Sequence, residues 1–246
     1  MLSLISSHTK QTEIPFNLTF DGSYTSGSYM SGTYYYFKSS GTLNISSAKT
    51  INYYIIGGGA GSMGGKYSAS GTYGGNSGNS GYVLTGSINL SSGNHSVVIG
   101  EGGLGSNASA TPQVGGSGQP SSLDSLIANG GYCVSGVPTT DGNSTLGAKG
   151  VNTQTAGGVG KNGTILCAPL NLYLGATGGA SGRDACPQSL GGSYGAGKSG
   201  YSASINGENG LPNTGSSGGG GRASTSSLSQ AGKGGDGGSG AVIIWF

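Results

Sequence analysis

Residues 50–81 read TINYYIIGGGAGSMGGKYSASGTYGGNSGNSG, and this stretch changes character part-way through. Its first part, residues 51–56, is a run of β-branched and aromatic residues typical of a strand with two buried faces. From Gly57 onward large side chains become rare. Glycine then recurs at every third position, at 58, 61 and 64 and again at 75, 78 and 81. This spacing fits neither an α-helix nor a β-strand.

A period of three residues is that of the polyproline II conformation, which rises about 3.1 Å per residue and makes no internal hydrogen bonds. The backbone groups of such a segment must therefore bond to neighbouring segments. The sequence predicts a mainly β chain with almost no α-helix, in which a small antiparallel β base carries a polyglycine II helix bundle, a glycine-rich sandwich of polyproline II-like helices. A collagen-like chain is excluded, because there are only seven prolines and the glycine phase is broken repeatedly.

Composition limits the possible partners. The chain has 246 residues, of which 56 are glycine and 7% are charged, and its net charge is +2. The ten basic residues are scattered singly, so no nucleic-acid partner is expected. There is no run of about 18 apolar residues, so no membrane insertion is expected. The three cysteines follow no metal-binding spacing and are interpreted as small buried thiols rather than as a disulfide.

The order of apolar and glycine-rich stretches predicts two regions. Residues 1–49 form an N-terminal β region with a possible role in attachment, and residues 50–246 form the glycine-rich domain. Within the domain, residues 81–105 resemble a hairpin with its turn at residues 91–94. The apolar run at residues 241–246 must be buried, and its expected partner is the strand at residues 51–56. The glycine tracts would then be an excursion between two adjacent strands.

Four pieces of sequence, taken in order, resemble a known family. They are YYIIGGGAGSMGG, SGYVLTGSINLSSGNHSVVIGEGG, SSLDSL with the following NGG, and GKGGDGGSGAVIIWF. Together they resemble the glycine-rich domain of viral and bacteriophage tail-fibre adhesins over roughly residues 50–246. The resemblance implies a polyglycine II scaffold whose loops at the free tip bind a receptor on the host. Residues 1–49 do not resemble the attachment domain of the phage adhesins, which leaves both a phage and a large eukaryotic virus open as the source.

The irregular segments between glycine tracts are the candidate tip loops, at residues 132–146, 164–174, 183–190, 201–214 and 222–231. Tyrosine and arginine concentrate binding energy at interfaces, because they combine a large contact area with hydrogen bonding. The candidate receptor-binding residues are therefore Tyr132, Tyr173, Arg183, Tyr194, Tyr201 and Arg222. The alternative is that these tyrosines only stack on glycine segments.

Two nucleotide-binding motifs match by letter. Residues 192–199, GSYGAGKS, fit the phosphate loop, and residues 59–64, GAGSMG, fit the dinucleotide fingerprint. The first lacks both a preceding apolar strand and a following helix, and the second lacks the helix and a suitably placed acidic residue. Both matches are interpreted as chance in a glycine-rich chain. The two histidines and eight acidic residues form no recognisable catalytic or metal-binding pattern. We therefore expect that the protein is not an enzyme and that it needs neither a cofactor nor a metal ion.

The expected function is that of a receptor-binding adhesin or fibre-tip protein on the virion surface, in an extracellular setting. Its expected partners are a host-cell surface receptor, either protein or glycan, and other fibre or capsid proteins. The main alternative is a purely structural capsid-surface or fibre component of a phage or a large DNA virus. Ice binding is a third possibility, disfavoured because threonine never recurs in register.

Overall fold

The computed structural model describes residues 16–68, 73–111, 113–134, 147, 150, 154–163 and 165–246. These residues form twelve strands, two short 3-10 helices at Ala168–Leu170 and Leu228–Gln230, and no α-helix. The strands are β1 (Leu18–Phe20), β2 (Tyr24–Tyr29), β3 (Gly32–Phe37), β4 (Gly41–Ile45), β5 (Lys49–Ile56), β6 (Val83–Leu90), β7 (Gly93–Val98), β8 (Ser121–Leu123), β9 (Leu126–Ala128), β10 (Ile165–Cys167), β11 (Leu172–Leu174) and β12 (Ala241–Trp245).

The strands form three sheets in which every pair of neighbours is antiparallel. Sheet 1 has the order β1-β4-β7-β8-β9, sheet 2 has the order β2-β3-β12-β5-β6, and β10 and β11 form a separate hairpin. Strands from before residue 49 contribute to both large sheets. Among the described residues no helix is long and apolar enough to cross a lipid bilayer.

The main hydrophobic core lies between sheets 1 and 2. Side chains alternate between the two faces of a strand, so every second residue of β5 and β12 points into this core. The fully enclosed members include Phe37, Leu43, Ile55 and Ile244. The two sheets therefore pack as a sandwich, each burying one face against the other.

The outer face of sheet 2 is buried as well, over the half next to the glycine region. There Ile56, Val83 and Ile243 pack against Cys167 and Leu174 of the β10–β11 hairpin. The 3-10 helix that joins β10 to β11 begins at Ala168, and Asn171 ends it in the left-handed conformation, with φ of 50°. Strand β12 thus supplies side chains to cores on both of its faces, which explains its continuous apolar sequence.

The predicted polyglycine II helix bundle is wrong. Regular structure in the described residues is nearly all β-strand, arranged in three antiparallel sheets, and these residues show no such bundle. The period-three glycine spacing predicts the repeat of a helix type. In the structure it marks positions where another chain segment comes too close for a side chain, and the described parts of the glycine segments have no regular secondary structure.

Two predictions about strand pairing have different outcomes. Residues 241–245 do pair with residues 52–56, from Ala241↔Ile56 to Trp245↔Asn52, so the expected partner of the apolar run is confirmed. The hairpin at residues 81–105 is wrong, because β6 pairs with β5 in sheet 2 while β7 pairs with β4 and β8 in sheet 1. The turn residues Ser91 and Ser92 instead carry the chain from one sheet to the other. A sheet crossing and a hairpin both need a short polar turn, so the sequence pattern does not separate them.

Candidate functional site

The glycine region consists of segments that leave the sheets, run outward and return. Residues 57–66 follow β5, and residues 73–82 run back to β6, with backbone bonds from the amides of Gly57, Ala60 and Met63 to the carbonyls of residues 82, 79 and 76. We call the end at residues 57 and 82 the sheet end, and the end at residues 66 and 73 the far end.

Successive amides of the outgoing segment turn to different neighbours. Those of Gly59, Ser62 and Gly65 donate to carbonyls of residues 238, 235 and 232, and those of residues 58 and 61 donate to residues 119 and 116. Each neighbour is therefore contacted at every third residue. Backbone amides and carbonyls that have no partner in a β-sheet are hydrogen-bonded in this way.

The spacing of Gly58, Gly61 and Gly64 is explained by another neighbouring segment, residues 101–107. A Cβ at Gly58, Gly61 or Gly64 would lie 2.0–2.3 Å from the carbonyl oxygens of residues 101, 104 and 107. These contacts involve backbone on both sides, so no side-chain rotation can relieve them. Only glycine allows the two segments to approach this closely.

Asparagine side chains extend the backbone bonding. The Oδ1 atoms of Asn206 and Asn209 accept the amides of residues 233 and 236, and those of Asn76 and Asn79 accept the amides of residues 150 and 147. The spacing is three residues in both pairs. Here a carboxamide oxygen replaces the backbone carbonyl that a neighbouring segment would otherwise provide.

At the far end, loops from several segments are tied to one another. The bridges Lys66↔Ser109, Tyr67↔Ser224 and Arg183↔Ala223 link them through the backbone. Its described part consists of residues 66–68, 109–111, 183–187, 201–204 and 223–230, which we call the far-end surface. Its exposed side chains are mostly small and polar, with Leu228 the large apolar exception at 49% exposure.

Arg222 lies beneath the far-end surface and is 8% exposed. Its Nη1 donates to the carbonyl of Asp184 at 2.9 Å, and its Nε and Nη2 donate to the carbonyl of Gln230 at 3.2 and 2.5 Å. Asp184, whose φ is 49°, accepts the amide of Thr225 at 2.9 Å and the Thr225 hydroxyl at 3.0 Å. Arg222 and Asp184 therefore fasten the 183–187 loop to the 223–230 loop.

The sequence-predicted site residues fall into separate places. Arg183 and Tyr201 lie on the far-end surface, each partly exposed, and Arg222 lies under it. The amide of Asn79 donates to the carbonyl of Tyr132, which places Tyr132 along the glycine region. Residues 135–146 of its segment lie outside the described part of the chain.

Tyr173 and Tyr194 are together at the sheet end, with their ring centroids 5.7 Å apart. Tyr173 belongs to the hairpin that covers sheet 2, where it pairs across with the exposed Leu166. The sequence predicts residues 164–174 among the tip loops, and this is wrong for the hairpin, which packs on sheet 2. A run of apolar residues at 165–174 gave the signal for a covering hairpin, because alternate residues of it are buried against the sheet.

The two nucleotide-motif matches have their amides engaged within the fold. In residues 192–199, the amides of Gly192 and Gly197 donate to Thr177 and Ser217 carbonyls. In residues 59–64, the amides of Gly59, Gly61 and Ser62 donate to other segments. A phosphate cradle needs such amides free to point at the ligand, so neither motif has that geometry.

Groups with chemical reactivity are also engaged in the fold. His95 is buried, with Nδ1 2.7 Å from Asp124 Oδ2 and Nε2 2.9 Å from the Ser91 carbonyl, which fixes the β8–β9 turn on sheet 1. The three cysteines are free thiols, and burial raises the pKa of Cys167 from 9.0 to about 11. In the part of the chain that the structure describes, no three His, Cys, Asp or Glu side chains form a group able to hold a metal ion.

A family model described as a glycine-rich domain matches residues 38–246. The chain belongs to this family of glycine-rich domains. The match begins twelve residues before the region that resembled tail-fibre adhesins, and it takes in β4 of sheet 1 as well as the glycine region. A comparison of this glycine-rich domain with curated proteins gave no match.

Proposed function

We propose that this glycine-rich domain is a non-enzymatic binding protein of a virion surface, which recognises a host-cell receptor through its far-end surface. The observation that supports this most is the way loops from several separate segments are tied together at one end of the glycine region. A set of loops held in one arrangement before binding loses little conformational entropy on binding. The virion setting comes from the resemblance to tail-fibre adhesins.

The far-end surface offers two kinds of receptor contact. Arg183 is 33% exposed in its side chain and Tyr201 is partly exposed, so both can contribute area and hydrogen bonds. Around them, hydroxyl groups such as those of Ser202 and Ser204 are exposed and can bond to either a protein or a glycan. Arg222 acts differently, because its guanidinium is used up in holding two loops together.

Binding of the fluorescently labelled full chain to intact cells, over a panel of bacteria and unicellular eukaryotes, tests the proposal by flow cytometry. We expect saturable binding to at least one cell type. The double variant Arg183→Ala and Tyr201→Ala should weaken that binding by roughly tenfold or more, equal to about 1.4 kcal/mol. Tyr194→Ala is the matched control, because Tyr194 is exposed but lies at the sheet end.

The outcomes separate the proposal from its main alternative. Binding that is unchanged in the double variant and lost in Tyr194→Ala would move the receptor site to the sheet end and contradict the proposal. Absence of binding to every cell type, together with assembly into multimers, would favour a structural capsid-surface or fibre protein. The uncharged outer strand of sheet 2, β2, is the observation that favours this second candidate.

A further inference from the structure

Among the strands of the described residues, β2 is the outer strand of sheet 2 and has only β3 beside it. Its register is continuous from Tyr24↔Phe37 to Tyr29↔Gly32. The amide of Lys38 donates to the carbonyl of Ser23, so the bonded pairs with β3 alternate from Ser23 through residues 25, 27 and 29. The amides and carbonyls of residues 24, 26 and 28 therefore point away from β3, toward the open edge.

This edge has none of the features that usually prevent strand pairing. Natural edge strands are kept apart by charged residues, proline, bulges or very short length. Strand β2 is six residues long, its sequence is YTSGSY, and its ladder with β3 contains no bulge. The outer strands of sheet 1, β1 and β9, are only three residues each. At the opposite side of the sandwich, the amide of Tyr82 donates to the carbonyl of Asn129 and joins the start of β6 to the end of β9.

We propose that β2 pairs antiparallel with β2 of a second copy of this chain, which joins the two copies of sheet 2 into one ten-stranded sheet. A two-fold axis at Ser26 places Ser26 opposite Ser26 of the second copy, and Tyr24 opposite Ser28. These are the three positions whose backbone groups face outward, so the three pairs can exchange six hydrogen bonds. This register is the one in which every outward-facing amide and carbonyl of residues 24, 26 and 28 has a partner in the second copy.

The side chains agree with this pairing. No residue of β2 is charged, so two copies meet without like-charge repulsion. On the outer face, Thr25 of one copy lies opposite Gly27 of the other, and Tyr29 lies diagonal to Thr25. The ring of Tyr29 packs edge-on against Trp245, with the ring centroids 6.3 Å apart. The aromatic surfaces on the outer faces of the two sheets would therefore adjoin at the two-fold axis.

Disulfide trapping tests the register. In Ser26→Cys the two related Cα atoms would be about 5.5 Å apart, within the range that a disulfide spans. Ser31→Cys is the control, since Ser31 is also exposed but its two related positions would be about 30 Å apart. We expect mild oxidation to yield a covalent dimer of Ser26→Cys and little from Ser31→Cys or the unmodified chain. Equal yields from both variants would overturn the proposal.

Sedimentation equilibrium tests the association without a disulfide. The unmodified chain should show a reversible monomer–dimer equilibrium, and Ser26→Pro should remain a monomer at the same concentrations. Proline is tolerated there because the Ser26 amide makes no bond to β3. Ser26→Lys, which places two like charges at the axis, should also be monomeric, and Ser26→Thr should dimerise as before. An unmodified chain that stays monomeric, or a Ser26→Pro variant that still dimerises with unchanged circular dichroism, would contradict the pairing.

Discussion

Gly59 shows how tightly backbone is packed in the glycine region. Its amide donates to the carbonyl of Gly238 at 2.8 Å, and its own carbonyl accepts the amide of Gly103 at 2.9 Å. A Cβ at this position would lie 2.2 Å from the carbonyl oxygen of Ser216. One residue with no side chain is thus in contact with three other segments, and there is no rotatable group that could move aside.

We therefore expect Gly59→Ala to lower the free energy of unfolding by roughly 3 kcal/mol or more, because the segments must separate and lose backbone bonds. Gly116→Ala is the control. Gly116 is exposed, and a Cβ there would have its nearest contact, the amide nitrogen of Leu104, at 3.1 Å, so the change should stay within about 1 kcal/mol. Urea unfolding followed by circular dichroism measures both. Equal effects would show that close approach does not explain the glycine.

Arg222 gives a second prediction at this scale. A lysine has three donors on one nitrogen and cannot reach the carbonyls of both Asp184 and Gln230 with the geometry of a guanidinium. Arg222→Lys should cost about 2 kcal/mol of the free energy of unfolding, because a buried charge keeps fewer partners. It should also raise the amide-exchange rates of residues 183–187 and 223–230. Arg183→Lys is the matched control, and an equal cost from it would contradict the role given to Arg222.

The β10–β11 hairpin packs on sheet 2 and buries Tyr36, which makes the stability of the protein depend on pH. Tyr36 of β3 lies under the hairpin, and its hydroxyl donates to the carbonyl of Asn213 at 2.5 Å. Burial raises the pKa of Tyr36 from 10.0 to about 12, and the nearby Cys167 thiol contributes in the same direction. The neutral phenol is thus the form that the folded protein prefers.

The stability that the neutral Tyr36 phenol contributes should therefore be fully present below pH 10 and fall as the pH rises from 10 to about 12. In that window the unfolded chain releases the Tyr36 proton while the folded chain retains it, which lowers the free energy of unfolding by up to about 2–3 kcal/mol. Cys167 adds a similar loss from pH 9 to about 11. Urea unfolding at stepped pH measures this. Tyr36→Phe should remove the part of the loss that Tyr36 causes above pH 10 and keep the part that Cys167 causes, and Tyr73→Phe, at an exposed ring, should leave the profile unchanged.

Elements also show how far sequence alone could lead. The strand at residues 51–56 and its pairing with residues 241–245 were predictable, because long apolar runs must be buried and two such runs flank the glycine tracts. The crossing at Ser91 was not, since a turn between strands has the same composition whether or not the strands pair. The role of Arg222 under the far-end surface was not predictable either, because it donates to backbone carbonyls. Every residue has a carbonyl, so the residue types in the sequence do not show which one accepts a hydrogen bond. The glycine spacing correctly indicated close contacts between backbone segments. It led to the wrong prediction of a polyglycine II bundle, because the partners of these segments are also backbone groups.

At the scale of the whole molecule, β12 holds the parts together. It lies between β3 and β5, with Val242 and Ile244 in the sandwich core and Ile243 under the hairpin, all fully buried. The glycine segment that precedes it bonds to residues 59, 62 and 65 of the first outgoing segment. Both cores and the glycine region therefore depend on one strand.

Because of this shared strand, we expect unfolding in a single cooperative transition. Ile244→Asn should lower the free energy of unfolding by about 4 kcal/mol or more, through the lost apolar contacts and an unpaired buried amide. The control Ile127→Asn, at a residue 57% exposed, should change it by less than about 0.5 kcal/mol. Coincident loss of tryptophan fluorescence and of amide protection at glycine residues would confirm the coupling. Separate transitions would show two independent units.

The position of β12 also provides an optical signal. The chain has a single tryptophan, Trp245, and its ring stacks on Tyr54 with centroids 5.0 Å apart. Trp245 pairs with Tyr34 of β3 and Asn52 of β5, so its ring reaches this position only when β12 lies between the two strands. Emission from this one indole therefore reports the insertion of β12, with no dye or label attached to the protein.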